Sequence, residues 1–384
     1  MTVYILDGKR TPQGSFLGNL SSLSAPELAS FPIRECLKSI DASEVEQVYM
    51  GQVLQAGVGQ APARQAALKA GLPESVPCVT LNKVCGSGLQ AIIDGSRSIM
   101  VGDTDLVIAG GMESMSNAPH LIDGYRSGKK LGNQTLKDSM VNDGLWDPYS
   151  NRHMGSCAEE CVSKYNFSRE DLDNFSIESF KRAQNAQAEK IFDHEISPVT
   201  IKSRKGDIEI TQDEGPGKAN FEKMPKLRPV FDKEGSITAA NASTLNDGAA
   251  CLLLGSEKFK DKAKFKILSW AGHAQNPTWF TTAPVKAMEK NLEKAGLTIA
   301  DIDYFEINEA FAAVTLAAMK DLSIDHKKVN IYGGGVSLGH PIGCSGARLI
   351  VTLMNVLEKN NAKRGLASLC IGGGEALSII IERL

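Results

Sequence analysis

The sequence predicts an α/β fold with a largely parallel sheet, built from two similar halves with a segment inserted in the first. Three observations carry this. Apolar runs of strand length alternate with stretches of helical periodicity. The order loop, helix, strand, glycine cluster occurs twice: Cys85-Gly86-Ser87-Gly88 leads to Leu106-Val107-Ile108-Ala109-Gly110-Gly111-Met112-Glu113, and Gly343-Cys344-Ser345-Gly346 leads to Leu369-Cys370-Ile371-Gly372-Gly373-Gly374-Glu375. Between these units, from about Asn117 to Ala240, the texture changes to a charge-rich stretch with Gly128-Lys129-Lys130 and Ser203-Arg204-Lys205-Gly206-Asp207.

The elements follow in order. Val3 to Leu6, inside the opening Met1–Asp7, reads as a strand. Ser24 to Ser39 reads as a helix, with Ser24 as N-cap and Glu27 three residues on as its capping-box partner. Gly86 to Met100 carries Leu89, Ile92, Ile93, Ile99 and Met100 at helical spacing, and Asp105 to Ala109 is a buried strand ending at Gly110-Gly111. The inserted stretch holds one long helix from N-cap Ser168 to about Lys190 and a short strand at Ile208–Ile210. Segments of this kind often cover an active site. Asp303 to Ile307 reads as a strand followed by Asn308, an N-cap type, and an apolar helix.

With 384 residues and 42% hydrophobic content, the chain can bury a full core without disulfides or metal. A net charge of −3 argues against a general nucleic-acid binder. Eight cysteines are too sparse for a disulfide scaffold and read as reduced thiols in a cytoplasm-like compartment. No apolar run reaches membrane-spanning length, the N-terminus has no signal-peptide pattern, and Glu382-Arg383-Leu384 is not a peroxisomal tripeptide.

Three glycine-set residues suggest carbon–sulfur acyl chemistry. Cys85, at the start of a helix and beside glycines, is placed to feel the helix dipole, which lowers a thiol pKa, and to receive backbone N–H donors. His340, before Pro341 in a glycine loop, is a candidate base. Cys370 ends a buried strand beside Gly372-Gly373-Gly374, whose N–H groups are free for an oxyanion. A metal site at His153, Cys157 and Cys161 is disfavoured, because three ligands spread over two helical turns converge poorly on one ion. Gly333-Gly334-Gly335 does not complete a dinucleotide fingerprint.

Taken together, Asn82–Gly88, Gly110–Ser116, His153-Met154-Gly155, Lys226–Pro229, Asn241–Ser243, Leu245–Ala250, Asn308–Phe311, Gly339–Gly346 and Cys370–Gly374 resemble the thiolases, in the family's order and over nearly the whole chain. The resemblance implies a five-layered fold of two βαβαβαββ halves. Residues 1–116 and 242–265 would form the first half, 117–241 a loop domain covering the active site, and 266–384 the second half. It implies a cytoplasmic homotetramer that acts on acyl-CoA and CoA, with no metal or organic cofactor. The implied reaction is reversible condensation of two acetyl-CoA to acetoacetyl-CoA through an acetyl-cysteine. Degradative 3-ketoacyl-CoA cleavage with a longer acyl range is the alternative within the family. A decarboxylating ketoacyl synthase and a non-catalytic acyl-CoA-binding relative are the alternatives outside it.

Carried over, Cys85 is the nucleophile, His340 the activating base and a donor to the thioester oxygen, and Cys370 the acid/base at the α-carbon. Asn308 holds a water that joins His340 in one oxyanion hole, and the N–H groups of Cys85 and Gly372 form the other. His153, Met154, Phe231, Ser243 and Phe311 fall along the pantetheine tunnel, with Leu145, Ala239 and Ala310 as further binding residues. The chain departs from the family pattern at Glu375, where an apolar residue is expected, and at bulky Trp279-Phe280. Lys218 stands in for the arginine expected near the CoA phosphates.

Overall fold

The computed structural model describes residues 2–204 and 206–384; Met1 of the opening stretch and Lys205 of the charged run lie outside the described residues. The main strands are β1 (Val3–Arg10), β2 (Gln47–Gly51), β3 (Cys78–Leu81), β4 (Leu106–Ser114), β5 (Asn246–Gly255), β6 (Phe265–Ala274), β7 (Tyr304–Ile307), β8 (Arg364–Ile371) and β9 (Glu375–Arg383). The helices are α1 (Ala25–Cys36), α2 (Pro62–Ala70), α3 (Ser87–Val101), α4 (Met154–Tyr165), α5 (Arg169–Ala188), α6 (Ala283–Ala295), α7 (Ala312–Leu322), the single turn α8 (Gly335–Leu338) and α9 (Ser345–Lys359).

One sheet runs β7-β8-β9-β6-β1-β5-β4-β2-β3, with the short strand Gly14–Ser15 paired to β5. Its two ends repeat one plan. In the first half β4 pairs β2 in parallel and β5 antiparallel, and β5 pairs β1 antiparallel. In the second, β8 pairs β7 in parallel and β9 antiparallel, and β9 pairs β6 antiparallel. The duplication expected from the sequence echo is therefore present in the ladders, and the antiparallel β1–β6 pair joins the halves.

The expectation of a largely parallel sheet is corrected. The last strand of each half returns antiparallel beside its predecessor, and the halves meet antiparallel, so only β2–β3, β2–β4 and β7–β8 are parallel among the described pairs. The alternation of strand and helix marks crossovers, but it does not reveal a final strand that returns antiparallel, by a tight turn in the second half and only after the long inserted stretch in the first.

Side-chain alternation builds the layers. On β5, Ala250, Leu252 and Leu254 enter one core with α3 and α9, while Ala249, Cys251 and Leu253 enter another with α1 and α2. On β9, Leu377, Ile379 and Ile381 face α3 and α9, and Ile380 faces the core of α6 and β7. The result is five layers, helix–sheet–helix–sheet–helix, with α3 and α9 in the middle. Two-sided burial is why strands such as Leu252-Leu253-Leu254 are continuously apolar, at roughly 1.5–3 kcal/mol per buried Leu or Ile.

Local signals hold with shifts. α1 starts after Ser24, whose N–H and hydroxyl both donate to the Glu27 carboxylate, at 2.9 and 2.7 Å. Gly110 and Gly111 do not end their strand; they lie inside β4 because other backbone crowds them. A Cβ on Gly110 would sit 2.1 Å from the Ala250 carbonyl oxygen, and one on Gly111 would sit 2.1 Å from that of Gly343. Gly88 and Gly346 let the first turns of α3 and α9 meet, since a Cβ on Gly346 would fall 2.5 Å from the Leu89 nitrogen. Ile208–Ile210 pairs with Val199–Ile201 as a two-stranded ribbon in the inserted stretch.

Candidate active site

Cys85 sits in a tight turn between β3 and α3. The turn is closed by the Ser87 hydroxyl, which accepts from the Lys83 N–H (2.8 Å) and donates to the Val84 carbonyl (2.7 Å), and by Asn82 Oδ1, which accepts from the Val84 N–H (2.9 Å). Val84 takes φ +47°, a strained position for a β-branched residue directly before the thiol. Cys85's own N–H and that of Gly372 are directed at its sulfur.

The pKa expected from the helix dipole is corrected. Burial pushes the Cys85 thiol up to about 11, outweighing those two N–H groups, and Glu113 pushes the same way. The resting thiol is protonated and needs a base.

His340 supplies one. Burial, with Arg348 pushing the same way, lowers its pKa to about 3, so the ring is neutral. The backbone N–H of His340 donates to Asn246 Oδ1 at 3.0 Å, and Gly339 at φ +109° makes room, because a Cβ there would lie 2.3 Å from the Asn246 Cγ. Its Nδ1 lies 2.5 Å from the Ser345 hydroxyl, which itself donates to the Pro341 carbonyl at 2.9 Å. The hydroxyl proton is thus committed, so Nδ1 carries the ring proton and Nε2 is the free base. Asn308 Nδ2 lies 3.5 and 3.4 Å from the two ring nitrogens. Asn308 is not the N-cap of α7; the helix starts after Phe311, and the Asn308 side chain is directed at His340.

Cys370 lies on the face of β8 opposite Leu369 and Ile371, in a cluster with Met154, Cys157 and Phe311. Burial, then the nearby Cys85, raises its pKa well above the ordinary thiol value.

A cavity of about 660 Å³ brings these groups together. It is lined by Cys85, His340, Cys370 and Gly372, and by His153, Met154, Phe231, Ser243, Phe311, Leu145, Ala239, Ala310 and Lys218. Of the sequence-derived candidates only Asn308 is absent from the lining; it stands behind His340. Aromatic rings form one wall. His153 stacks on Phe231 at 4.7 Å, and Phe231 and Phe280 each meet Phe311 edge-on, at 6.1 and 6.3 Å. Gly155 permits this, because a Cβ there would strike the Phe231 ring at 2.3 Å. The Ser243 N–H donates to the Ala310 carbonyl (3.0 Å), tying the chain before β5 to the Phe311 side of the cavity. Lys218 is exposed and already ion-paired with Glu214 at 2.8 Å.

Sequence reasoning did not single out Ser345 and Asn246, which orient His340, or Glu113. The buried Glu113 carboxylate accepts from the N–H groups of Val53 (3.0 Å), Leu54 (3.1 Å) and Gly343 (2.9 Å), tying the His340 loop to the end of β2. A lone carboxylate inside an apolar, glycine-bearing strand was its signal.

Two family models cover this chain: the thiolase N-terminal domain over residues 3–258 and the thiolase C-terminal domain over 261–383. An acetyl-CoA acetyltransferase of Schizosaccharomyces pombe is 48% identical over 100% of this chain and 99% of its own length. Acetyl-CoA acetyltransferase 1 of Arabidopsis thaliana is 48% identical over 99% and 94%. Among solved structures, the Bacillus anthracis acetyl-CoA acetyltransferase superposes with a TM-score of 0.97 at 39% identity, covering 100% of this chain and 99% of that one. The Acat5 thiolase from Ascaris suum, in complex with coenzyme A, gives 0.95 at 43% identity, with full coverage of both chains. Fold, ladder plan and full-length similarity agree: the chain belongs to the thiolase family.

Proposed function

We propose that this protein is an acetyl-CoA acetyltransferase, condensing two acetyl-CoA reversibly to acetoacetyl-CoA and CoA. What carries the reading is one apolar cavity holding two thiols and an imidazole, with two backbone N–H groups aimed at one sulfur. His340 Nε2 takes the Cys85 proton as the sulfur attacks the thioester carbonyl, and CoA leaves as a thiol. The N–H groups of Cys85 and Gly372 stabilise the oxyanion. Cys370 gives its proton to the departing CoA and becomes the thiolate that, after a second acetyl-CoA binds, removes its α-proton. The carbanion attacks the acetyl-cysteine, acetoacetyl-CoA leaves, and the Cys85 sulfur takes its proton back from His340. Proton transfers among these side chains suffice, so the reaction calls for no metal or organic cofactor; coenzyme A is substrate and product.

Relatives bear the same activity in their names, and one from Gibberella zeae is described as cytosolic. All eight cysteines of this chain are free thiols, and no helix among the described residues is long and apolar enough to cross a membrane. These points support a cytosolic location. A homotetramer fits the arm at residues 120–138, which exposes Ile122, Tyr125, Leu131 and Leu136.

The test is intact mass and peptide mapping after brief mixing with acetyl-CoA. The reading expects an acetyl group on the Cys85 peptide, absent in Cys85→Ala. Faster thiolysis of long 3-ketoacyl-CoA than of acetoacetyl-CoA would instead favour a degradative thiolase.

A further inference from the structure

We propose that the ion pair between Lys83 and Glu375 is a clasp that sets the spacing of the two N–H donors around the Cys85 sulfur. Both members are positioning residues, and the inference rests on Cys85 being the nucleophile. Lys83 stands two residues before Cys85, and its N–H is bound inside the strained turn by Ser87, so a pull on Lys83 reaches Cys85. Glu375 stands three residues after Gly372 and opens β9, paired with Ile371 of β8 on one side and Ala274 of β6 on the other. It is a fixed post in the sheet. Between it and Gly372 lie Gly373 and Gly374, at φ +89° and +84°, the most pliable backbone available to a chain.

The Lys83 Nζ reaches the Glu375 carboxylate directly. Apart from the Gly372 N–H directed at the Cys85 sulfur, the two segments otherwise touch through apolar contacts, Ile371 against Gly86 and Val84 beside Gly372. Neither charged residue lines the substrate cavity; both line a separate cleft of about 340 Å³ with Gln90, Trp270, His273 and Lys290. They therefore act on the site from outside it. Glu375 is also where the family pattern leads one to expect an apolar residue, so the clasp gives a role to a departure the reaction itself does not explain.

The pair is partly exposed, at 26% and 40%, so its loss is expected to appear in rate rather than in melting temperature. The experiment compares wild type, Glu375→Gln, Lys83→Met and the double variant. It reads the rate of acetyl transfer from acetyl-CoA to Cys85, kcat and KM for thiolysis, and the pH profile of Cys85 alkylation. Each single variant is expected to lose about tenfold in acylation rate and kcat, a fraction of a full oxyanion-donor loss. KM is expected to stay within about twofold, and the alkylation profile to move to higher pH as the two N–H groups that hold the thiol pKa down slip from the sulfur. The double variant should be no slower than the worse single, as two ends of one device must be.

Unchanged rates in both singles, or losses that multiply in the double, overturn the clasp. So does an alkylation profile that moves to lower pH in Glu375→Gln, which would mean the carboxylate acts through its field. A collapse of melting temperature matching the rate loss overturns it as well. Wild-type protein that takes no acetyl group fails the reading of the site and the clasp together; wild-type acylation with unaltered variants fails the clasp alone.

Discussion

At the scale of single residues, burial sets the protonation of the site. With Cys85 raised to about 11 and His340 lowered to about 3, the thiol keeps its proton below the first value and the imidazole lacks one above the second. Between them the resting pair is neutral. Alkylation of Cys85 by iodoacetamide should therefore keep accelerating as pH rises through that interval; a plateau from mildly acidic pH upward would mean a preformed thiolate–imidazolium pair. Cys370 has a separate duty. Cys370→Ala should still acquire the acetyl group on Cys85 but lose condensation by at least ~100-fold, checked by mass and by acetoacetyl-CoA formation. These residues were legible because glycine announces them: a Cβ on Gly86 beside Cys85 or on Gly339 beside His340 would clash, at 2.4 and 2.3 Å, and Cys370 is followed by the Gly372–Gly374 run. Asn246 was not singled out because its partners are distant in sequence: its Nδ2 donates to the Gly14 carbonyl (2.9 Å) and its Oδ1 accepts from the His340 backbone N–H (3.0 Å). The Ser345 hydroxyl, near His340 in sequence, gains its role only once the turn brings it to the ring.

At the scale of elements, the site is a meeting of helix starts. α3 and α9 bring the Cys85 and His340 loops together because Gly88 and Gly346 remove the Cβ atoms between them. Gly346→Ala drives a methyl to 2.5 Å from the Leu89 nitrogen, which backbone cannot yield easily. It should destabilise by ~1–3 kcal/mol in thermal or denaturant unfolding. Gly217→Ala, where nothing lies within 4 Å, is the near-neutral control. The echo of loop, helix, strand and glycine cluster predicted this pairing of units, because each copy must place the same turn against its twin. Strand direction was not legible: an apolar run such as Leu252–Leu254 is buried on both faces whichever way its neighbour points. The end of the Gly110-Gly111 strand was misjudged for a related reason, since only the partner strand shows that glycine there relieves crowding rather than stopping the strand.

At the scale of the whole molecule, the inserted stretch does two jobs. α4 and α5 pack on α7 and close the aromatic wall of the cavity, while the arm at 120–138 reaches outward. If the arm assembles tetramers, Leu131→Asp with Leu136→Asp should lower the mass in light scattering to that of smaller assemblies and leave acylation of Cys85 intact. Retained tetramer mass would assign assembly to another surface.

The seam between the halves has a consequence for how the chain comes into being. β5 lies between β1 and β4, and β6 borders β1 on its other side. During synthesis the first strand leaves the ribosome with both lateral partners still unmade, and the slot beside it stays open until residues 246–255 and then 265–274 have followed. Long sequence separation between paired strands slows closure and leaves hydrogen-bonding edges bare in the meantime. A nascent or truncated chain ending before Asn246 holds three unpaired strand edges, both of β1 and one of β4, that the finished enzyme never shows, which makes chain completion, rather than any local helix or turn, the step at which these edges are covered.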